Sequence, residues 1–251
     1  MKTLIIGAGQ VGTALKDILS PHHEVFIRDV VANYNSQADV LHICYPDHDG
    51  FEKTTKEYID FYKPKLTIIN SSVRVGTTLK CGMNVVYSPV RGRHPHLKEE
   101  MKKFRKFVAS HNQENAFKTI QYFEAAGWPC VLAKDPESLE FMKVMSNVHM
   151  GLEIAWRQEV ERMMEDLSIE PTDYEEWEKS YRDGYLALQD WNLIRPIMKP
   201  DPIGGHCILQ CVELLREKCP SSLLDFIVAS NEEIKNERFV SNGKSLNGRA
   251  R

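Results

Sequence analysis

Thr3-Leu4-Ile5-Ile6-Gly7-Ala8-Gly9-Gln10-Val11-Gly12 is the stretch that decides the fold of this 251-residue chain. A short aliphatic run predicts a strand, and the apolar spacing from Val11 to Leu19 predicts a helix. Between them lies Gly-x-Gly-x-x-Gly. Gly7 permits the tight turn, Gly9 lets a pyrophosphate approach the backbone, and Gly12 lets helix and strand pack closely. Phosphate charge then sits at the helix N-terminus, where the peptide dipoles favour an anion. Asp29 ends the next predicted strand, 20 residues after Gly9, where a carboxylate can accept hydrogen bonds from ribose hydroxyls. It would repel a 2′-phosphate, so NAD is favoured over NADP, with the adjacent Arg28 arguing the other way. Gly7, Gly9, Gln10, Val11, Gly12 and Asp29 are therefore the predicted cofactor residues. The competing reading, a glycine-rich turn followed by a surface aspartate, leaves the agreement of loop, strand, spacing and acid unexplained.

Outward from this motif, strands are predicted at Thr3–Ile6, Glu24–Ile27, Val40–Cys44, Leu66–Ile69 and Asn84–Tyr87, with a helix over Glu52–Tyr62. Such alternation predicts an α/β fold, an N-terminal Rossmann domain whose doubly wound parallel sheet is covered on both faces. Lys106–Ser110 and Pro129–Leu132 read as additional edge strands around a helix at Asn115–Ala126. From Pro136 to Leu167 no proline intervenes and Gly151 is the only glycine, so a long central helix of about 30 residues is predicted, roughly 45 Å in length. Further helices follow, interrupted at Arg195-Pro196 and at Lys199–Gly205. The expected domains are 1–135, dinucleotide-binding; 136–240, all-helical, for substrate and dimerisation; and 241–251, a disordered polar tail.

Lys and Arg number 32 against 35 Asp and Glu, a net charge of −3, which gives no electrostatic case for nucleic-acid or membrane-surface binding. With 42% hydrophobic residues and no apolar run of about 18 residues, a soluble, cytoplasmic protein with no membrane span is expected. Six cysteines occur without a CxxC pair, so neither a zinc ribbon nor a thioredoxin-type motif is indicated, and no metal is predicted.

Two segments of the second half carry chemistry. Lys143 and Asn147 are four apart and share one helix face that is otherwise apolar. An ammonium there can stabilise an oxyanion while the amide positions substrate or water; the alternative is a solvated lysine beside a helix-surface asparagine. In Lys199-Pro-Asp-Pro-Ile-Gly204-Gly205-His206-Cys207, two glycines place a cysteine at a helix start, where the dipole lowers a thiol's pKa. A thiolate so placed could attack an aldehyde carbon. A structural cysteine after a Gly-Gly turn, and a metal site of His206, Cys207 and Cys211, are the other readings.

The glycine loop, Lys143-xxx-Asn147 in a long helix and Gly204-Gly205-His206-Cys207 occur in the order seen in the UDP-glucose/GDP-mannose (nucleotide-sugar) dehydrogenases, which this chain resembles. That family sits with the 6-phosphogluconate and 3-hydroxyacid dehydrogenases in a wider superfamily. Ser71-Ser72-Val73 with Gly76-Thr77 is similar to the family's Ser-Thr-Val-Pro-x-Gly-x-Thr segment, and Ile154–Glu159 to its Ile-Ala-Phe-x-Asn-Glu. The resemblance implies NAD-dependent oxidation of an alcohol, twice, to a carboxylate through a cysteine-bound thiohemiacetal and thioester. It implies Lys143 as oxyanion stabiliser, Asn147 as its assistant, Cys207 as nucleophile, and Ser72 where a threonine orders water or nicotinamide. Gly204, Gly205 and His206 would line the substrate.

The departures are specific. The family continues into a second Rossmann-like domain that grips the nucleotide, which these 251 residues are expected not to include. Cys211 stands where an aspartate follows the catalytic cysteine by four, and Pro89-Val90 where the family has Pro-Glu, its general base. Arg91-Gly-Arg93-His94-Pro-His96 follows a strand's carboxyl end, where guanidinium forks suit an anionic substrate; a solvated basic loop is the alternative. Two other functional readings stand beside the leading one: a two-electron 3-hydroxyacid or 6-phosphogluconate-like dehydrogenase in which Cys207 only lines the pocket, and a non-catalytic dinucleotide-binding regulatory protein. Methionines and Trp156 along the long helix predict a homodimer through it.

Overall fold

A computed structural model describes residues 1–29, 37–93, 96–204 and 207–247, with side chains to residue 237. The chain forms two compact units, Met1–Val144 and Met145–Arg251.

The first unit is built on seven strands: β1 (Lys2–Ile6), β2 (Glu24–Arg28), β3 (Val40–Ile43), β4 (Leu66–Ile69), β5 (Val85–Tyr87), β6 (Lys106–Ser110) and β7 (Cys130–Leu132). Their order is β2-β1-β3-β4-β5-β6-β7. The first five are parallel, with Ile5 opposite Ile27 on one side and His42 on the other. This is the doubly wound arrangement that the alternation predicts, and its strand order reverses between β1 and β3. One expectation fails. Lys106–Ser110 is not an edge strand but runs antiparallel to β5 and parallel to β7. Val108, Ala109 and Ser110 are buried there, whereas the three residues of β7 are only partly covered or exposed.

Side-chain alternation divides the core. Ile5, Ile68, Val86 and Val108 point to one face, met by Leu15 and Leu19 of α1 (Gln10–Leu19) and by Phe123 of α5 (Gln113–Ala125). Leu4, Ile6, Ile43 and Tyr87 point to the other, met by Phe51 and Tyr62 of α2 (Phe51–Tyr62) and Cys81 of α3 (Thr77–Cys81). Each such fully buried side chain contributes about 1.5–3 kcal/mol relative to exposure. A short α4 (Leu97–Met101) adds two residues to the first face.

The long helix is α6, Pro136–Leu167, 32 residues. Its first turn belongs to the first unit because Leu139 is buried in the second face of that core. The division therefore falls after Val144, inside the helix, not at the 135/136 boundary read from the Pro136 signal. The second unit holds the rest of α6 with α7 (Pro171–Ala187), α8 (Cys207–Arg216) and α9 (Ser222–Asn247). Val148, Ala155, Val212, Leu224 and Ile227 are buried in it. Gly151 has a packing reason: a Cβ there would lie 2.9 Å from Ile208 Cγ2 and 3.4 Å from Ile227 Cγ2. Helix α9 runs on to Asn247, through most of the segment expected to be a disordered tail. Among the described residues no helix is long and apolar enough to cross a membrane.

Candidate functional site

The glycine loop sits at the point where the strand order reverses. Gly7 has φ +107°, and a Cβ on it would lie 3.0 Å from the Cys44 carbonyl carbon, so the loop after β1 presses against the chain leaving β3. A Cβ on Gly12 would lie 1.9 Å from the Gly7 carbonyl oxygen. Both glycines are therefore required by the protein's own packing. Gly9 is different: its backbone is extended, and a Cβ there would meet nothing within 4 Å among the described residues. Gly9 is also the N-cap of α1, supplying no side chain to the helix start, and no acid occupies the first turn. A glycine is needed here only if something outside the chain comes close. The arrangement suits the phosphates of a dinucleotide, which would take the place of a cap.

Gln10 and Val11 open α1, and exposed Asp29 follows β2. Arg28 is drawn away from that edge: its guanidinium donates to the Tyr62 hydroxyl and lies 5.4 Å from the Tyr58 ring centre.

The predicted Ser72 lies in the loop after β4, partly buried. Ser71 Oγ donates to the Tyr45 carbonyl at 2.6 Å, and the Tyr87 hydroxyl donates to the Ser71 carbonyl at 3.1 Å. Arg74 donates through its backbone N–H (2.8 Å) and guanidinium (2.6 Å) to buried Asp47. The far end of the loop is held by a residue that sequence reasoning missed. Glu140, fully buried on α6, accepts from the N–H of Gly76 (2.5 Å), the N–H of Thr78 (2.8 Å) and the Thr78 hydroxyl (2.6 Å). It thereby caps α3 and ties the Ser72 loop to the turn of α6 that carries Lys143. The available signal was Glu140 at three residues before Lys143, on a helix face otherwise reserved for core.

Lys143 and Asn147 are both partly buried, one turn apart on α6, the first closing the first unit and the second near the start of the second. Within the second unit, Asn147 Nδ2 donates to Cys211 Sγ at 3.1 Å. Cys207 is the first residue of α8, one turn before Cys211 and partly buried. Gly204 is exposed, and Gly205 and His206 lie outside the described residues. The approach to Cys207 is braced from behind: Gln158 Nε2 donates to the Asp201 carbonyl at 2.8 Å, and the Ile203 N–H donates to Asn231 Oδ1 at 2.7 Å. Among the described residues no three His, Cys, Asp or Glu side chains gather as a metal site would require.

The basic loop is already engaged. Arg93 donates to Glu100 through its backbone N–H (2.8 Å), Nε (2.9 Å) and Nη2 (2.7 Å). Arg91 Nη2 donates to the Arg105 carbonyl at 2.6 Å, with its guanidinium 5.1 Å from the Phe104 and Phe107 ring centres. His94 lies outside the described residues, and His96 precedes α4.

No protein-family sequence model matches the chain, and no curated protein matches it in sequence. Solved structures do. The UDP-D-ManNAc dehydrogenase of Pyrococcus horikoshii superposes with a TM-score of 0.80 at 15% identity, over 99% of this chain and 72% of that one. The UDP-N-acetyl-mannosamine dehydrogenase of Staphylococcus aureus gives 0.78 at 13% identity, over 100% and 72%. The 3-hydroxyisobutyrate dehydrogenase of Mycobacterium tuberculosis gives 0.65 at 13% identity, over 94% and 93%. The chain shares its fold with these proteins.

Two outcomes follow from the loop geometry. Gly12→Ala should destabilise the first unit by about 3 kcal/mol or more, whereas Gly9→Ser should leave denaturant stability unchanged or raise it by about a few tenths of a kcal/mol, because serine can cap α1. Burial pushes the Glu140 carboxyl from its ordinary 4.5 up to about 7, against the three donors that favour carboxylate. The folded chain then holds a proton that the unfolded chain releases, so this group's contribution to stability falls as pH rises between those values. Glu140→Gln should remove that slope from the pH dependence of chemical unfolding.

Proposed function

We propose that this chain is an NAD-dependent dehydrogenase of the nucleotide-sugar dehydrogenase type, oxidising an alcohol of an anionic, sugar-nucleotide or sugar-phosphate-like substrate. The observation that carries the proposal is Gly9: space left open by the described residues above a helix start that has no side-chain cap, at the point where the sheet's strand order reverses. The Gly7–Gly12 loop and α1 would hold the pyrophosphate, and Asp29 the ribose hydroxyls, with Arg28 committed to Tyr62. When bound, NAD accepts the hydride released in each two-electron step.

The chain's own residues handle the oxygen and carbon. The Lys143 ammonium stabilises negative charge on the reacting oxygen, and the Asn147 amide, oriented by Cys211, positions it. Cys207 as thiolate adds to the aldehyde carbon; the S–C bond forms and the carbonyl oxygen takes a proton. Loss of hydride from that carbon, with release of the hydroxyl proton, leaves a thioester; water cleaves its C–S bond to give carboxylate, a proton and the free thiol. Ser72, at the edge of the braced loop, would order water or the nicotinamide, while Gly204, Gly205 and His206 would line the substrate. Of the two candidate anchors, Arg91 is favoured over Arg93, whose fork is already filled by Glu100.

A second reading, a single two-electron oxidation in which Cys207 only lines the pocket, is favoured by one observation. Val90, where the resembled family carries its glutamate base, is buried in the core of the first unit. The proposal further includes a homodimer through α6, on which Trp156 is 54% and Leu167 70% exposed.

The deciding experiment is NADH released per substrate consumed, screened across nucleotide sugars, sugar phosphates and small hydroxyacids. Two NADH per molecule, falling to one or none in Cys207→Ser, is the expected result; one NADH, indifferent to that change, moves the chain to the second reading. Gly9→Ser should abolish NAD binding while the protein stays folded. Failure of NAD to bind the parent chain in calorimetry would overturn the dehydrogenase proposal itself. Sedimentation at micromolar concentration should give a dimer, and a monomer would remove the α6 interface.

A further inference from the structure

Lys106 opens β6 and is only 2% exposed. Its Nζ donates to the carbonyls of Ser88 (2.7 Å) and Pro89 (3.1 Å), and Asn70 Oδ1 lies 3.4 Å away. The ring centres of Phe123 and Trp128 stand 5.1 and 5.0 Å from the same nitrogen. Three neutral acceptors thus match the three protons of an ammonium. Asn70 and Ser88 are the first residues past β4 and β5. The charge is therefore fixed just beneath the carboxyl ends of those two strands. Asp29 and α1 take the adenosine side of the proposed dinucleotide site, so β4 and β5 belong to the half a second mononucleotide would cover.

The groups facing Lys106 do not neutralise it. From β3 and its exit come His42, whose burial brings it down to about 3 and keeps it uncharged, and Cys44, whose thiol burial pushes up to about 12. From β7 comes Cys130, pushed by burial up to about 11. Lys143 on α6 and Arg91 after β5 act on it as like charges. Among the described residues no carboxylate pairs with it.

Oxidised nicotinamide carries a positive ring, and the reduced form does not. A buried cation in low dielectric opposes the first and is indifferent to the second. We propose that Lys106 biases the dinucleotide site electrostatically toward reduced over oxidised nicotinamide, favouring hydride acceptance from substrate. The inference rests on the proposed NAD binding and deepens it. Burial, followed by the like charges, brings Lys106 from 10.5 down to about 7, so the bias should itself depend on pH. Below that value the ammonium is present and oxidised nucleotide is disfavoured; above it the charge is lost and oxidised nucleotide binds better.

The test measures dissociation constants, not turnover. NADH is titrated into the purified chain by its fluorescence and NAD⁺ by competition, at about pH 6 and about pH 8.5, on either side of the Lys106 transition. The ratio Kd(NAD⁺)/Kd(NADH) should fall about five- to tenfold from the lower to the higher pH, the size Coulomb's law gives for one charge acting through a partly screened medium. Lys106→Met should give the low ratio at both pH values, and Lys106→Arg the high ratio at both. Glu140 titrates in the same range, so Glu140→Gln must keep the slope. A flat ratio in the parent chain with both nucleotides bound overturns this inference alone, as does a slope that survives Lys106→Met. Binding of neither nucleotide overturns the dinucleotide reading and this inference with it. If Lys106→Met does not fold, Lys106→Arg decides: with a permanent charge at that position it must give the high ratio at both pH values, and a slope retained in it overturns the inference.

Discussion

How closely α1 can approach the end of β1 governs the rest of the first unit. With hydrogen as its side chain, Gly12 sits against the Gly7 carbonyl at a distance no Cβ could occupy. That approach fixes the direction of α1, places its uncapped start over the β1/β3 reversal, and leaves Gly9 in open space. It also constrains β3, because Gly7 itself presses on Cys44. Two of the three glycines thus serve the fold, and the third is left for the proposed dinucleotide. That division distinguishes a ligand loop from a merely tight turn, since a turn would need all of its glycines for itself.

Parallel strands end together, and their carboxyl ends gather carbonyls and buried polar side chains that need partners. Here His42 bridges Asn70 and the Tyr122 hydroxyl at 3.0 and 3.2 Å, Tyr122 reaches Thr3, and Asn70 leads on to Lys106. Lys106 braces the exit from β5, while Glu140 braces the loop after β4. Each is a buried ionisable group held by neutral partners instead of an opposite charge, and burial moves both toward neutral pH from opposite sides. Leaving either set of partners unmatched would cost about 1–3 kcal/mol per group. Loops around a binding site are ordinarily the mobile part of such a fold; here they are pinned to the sheet and to α6.

Much of this was legible from residue order alone. The parallel strands, the glycine loop and the long helix follow from periodicity and from Gly7, Gly12 and Pro136, whose steric demands are local. Long-range partners were not legible. That Glu140 would cap α3, that Asn147 would meet Cys211, or that Arg93 would spend its fork on Glu100 depends on side chains brought together from separate elements. Lys106 is the sharpest case: a lysine opening a strand reads as a solvated edge residue. Antiparallel insertion of β6 between β5 and β7 buries it instead. The end of the chain misread in the opposite direction, because Gly243 and the polar residues around it signal a tail, yet α9 continues.

The start of α8 departs most from the resembled family, and its geometry gives the departure a physical meaning. An aspartate at position 211 would accept from the Asn147 amide and bring a negative charge with it. Cys211 accepts from the same amide at 3.1 Å, so the amide's orientation is kept while the fixed charge is given up. One N–H of Asn147 is committed to sulfur, which restrains the plane of the amide; in the proposed reaction such preorganisation would cost nothing at the moment of catalysis. Orientation and charge are separable, and the proposed site would keep the first without the second. An alcohol oxidation asks mainly for a positioned donor at the developing oxyanion; thioester hydrolysis asks also for a base near the attacking water. In the proposed dehydrogenase, Cys211 in place of an aspartate and the buried Val90 in place of a glutamate would therefore weigh on a second oxidation more heavily than on the first.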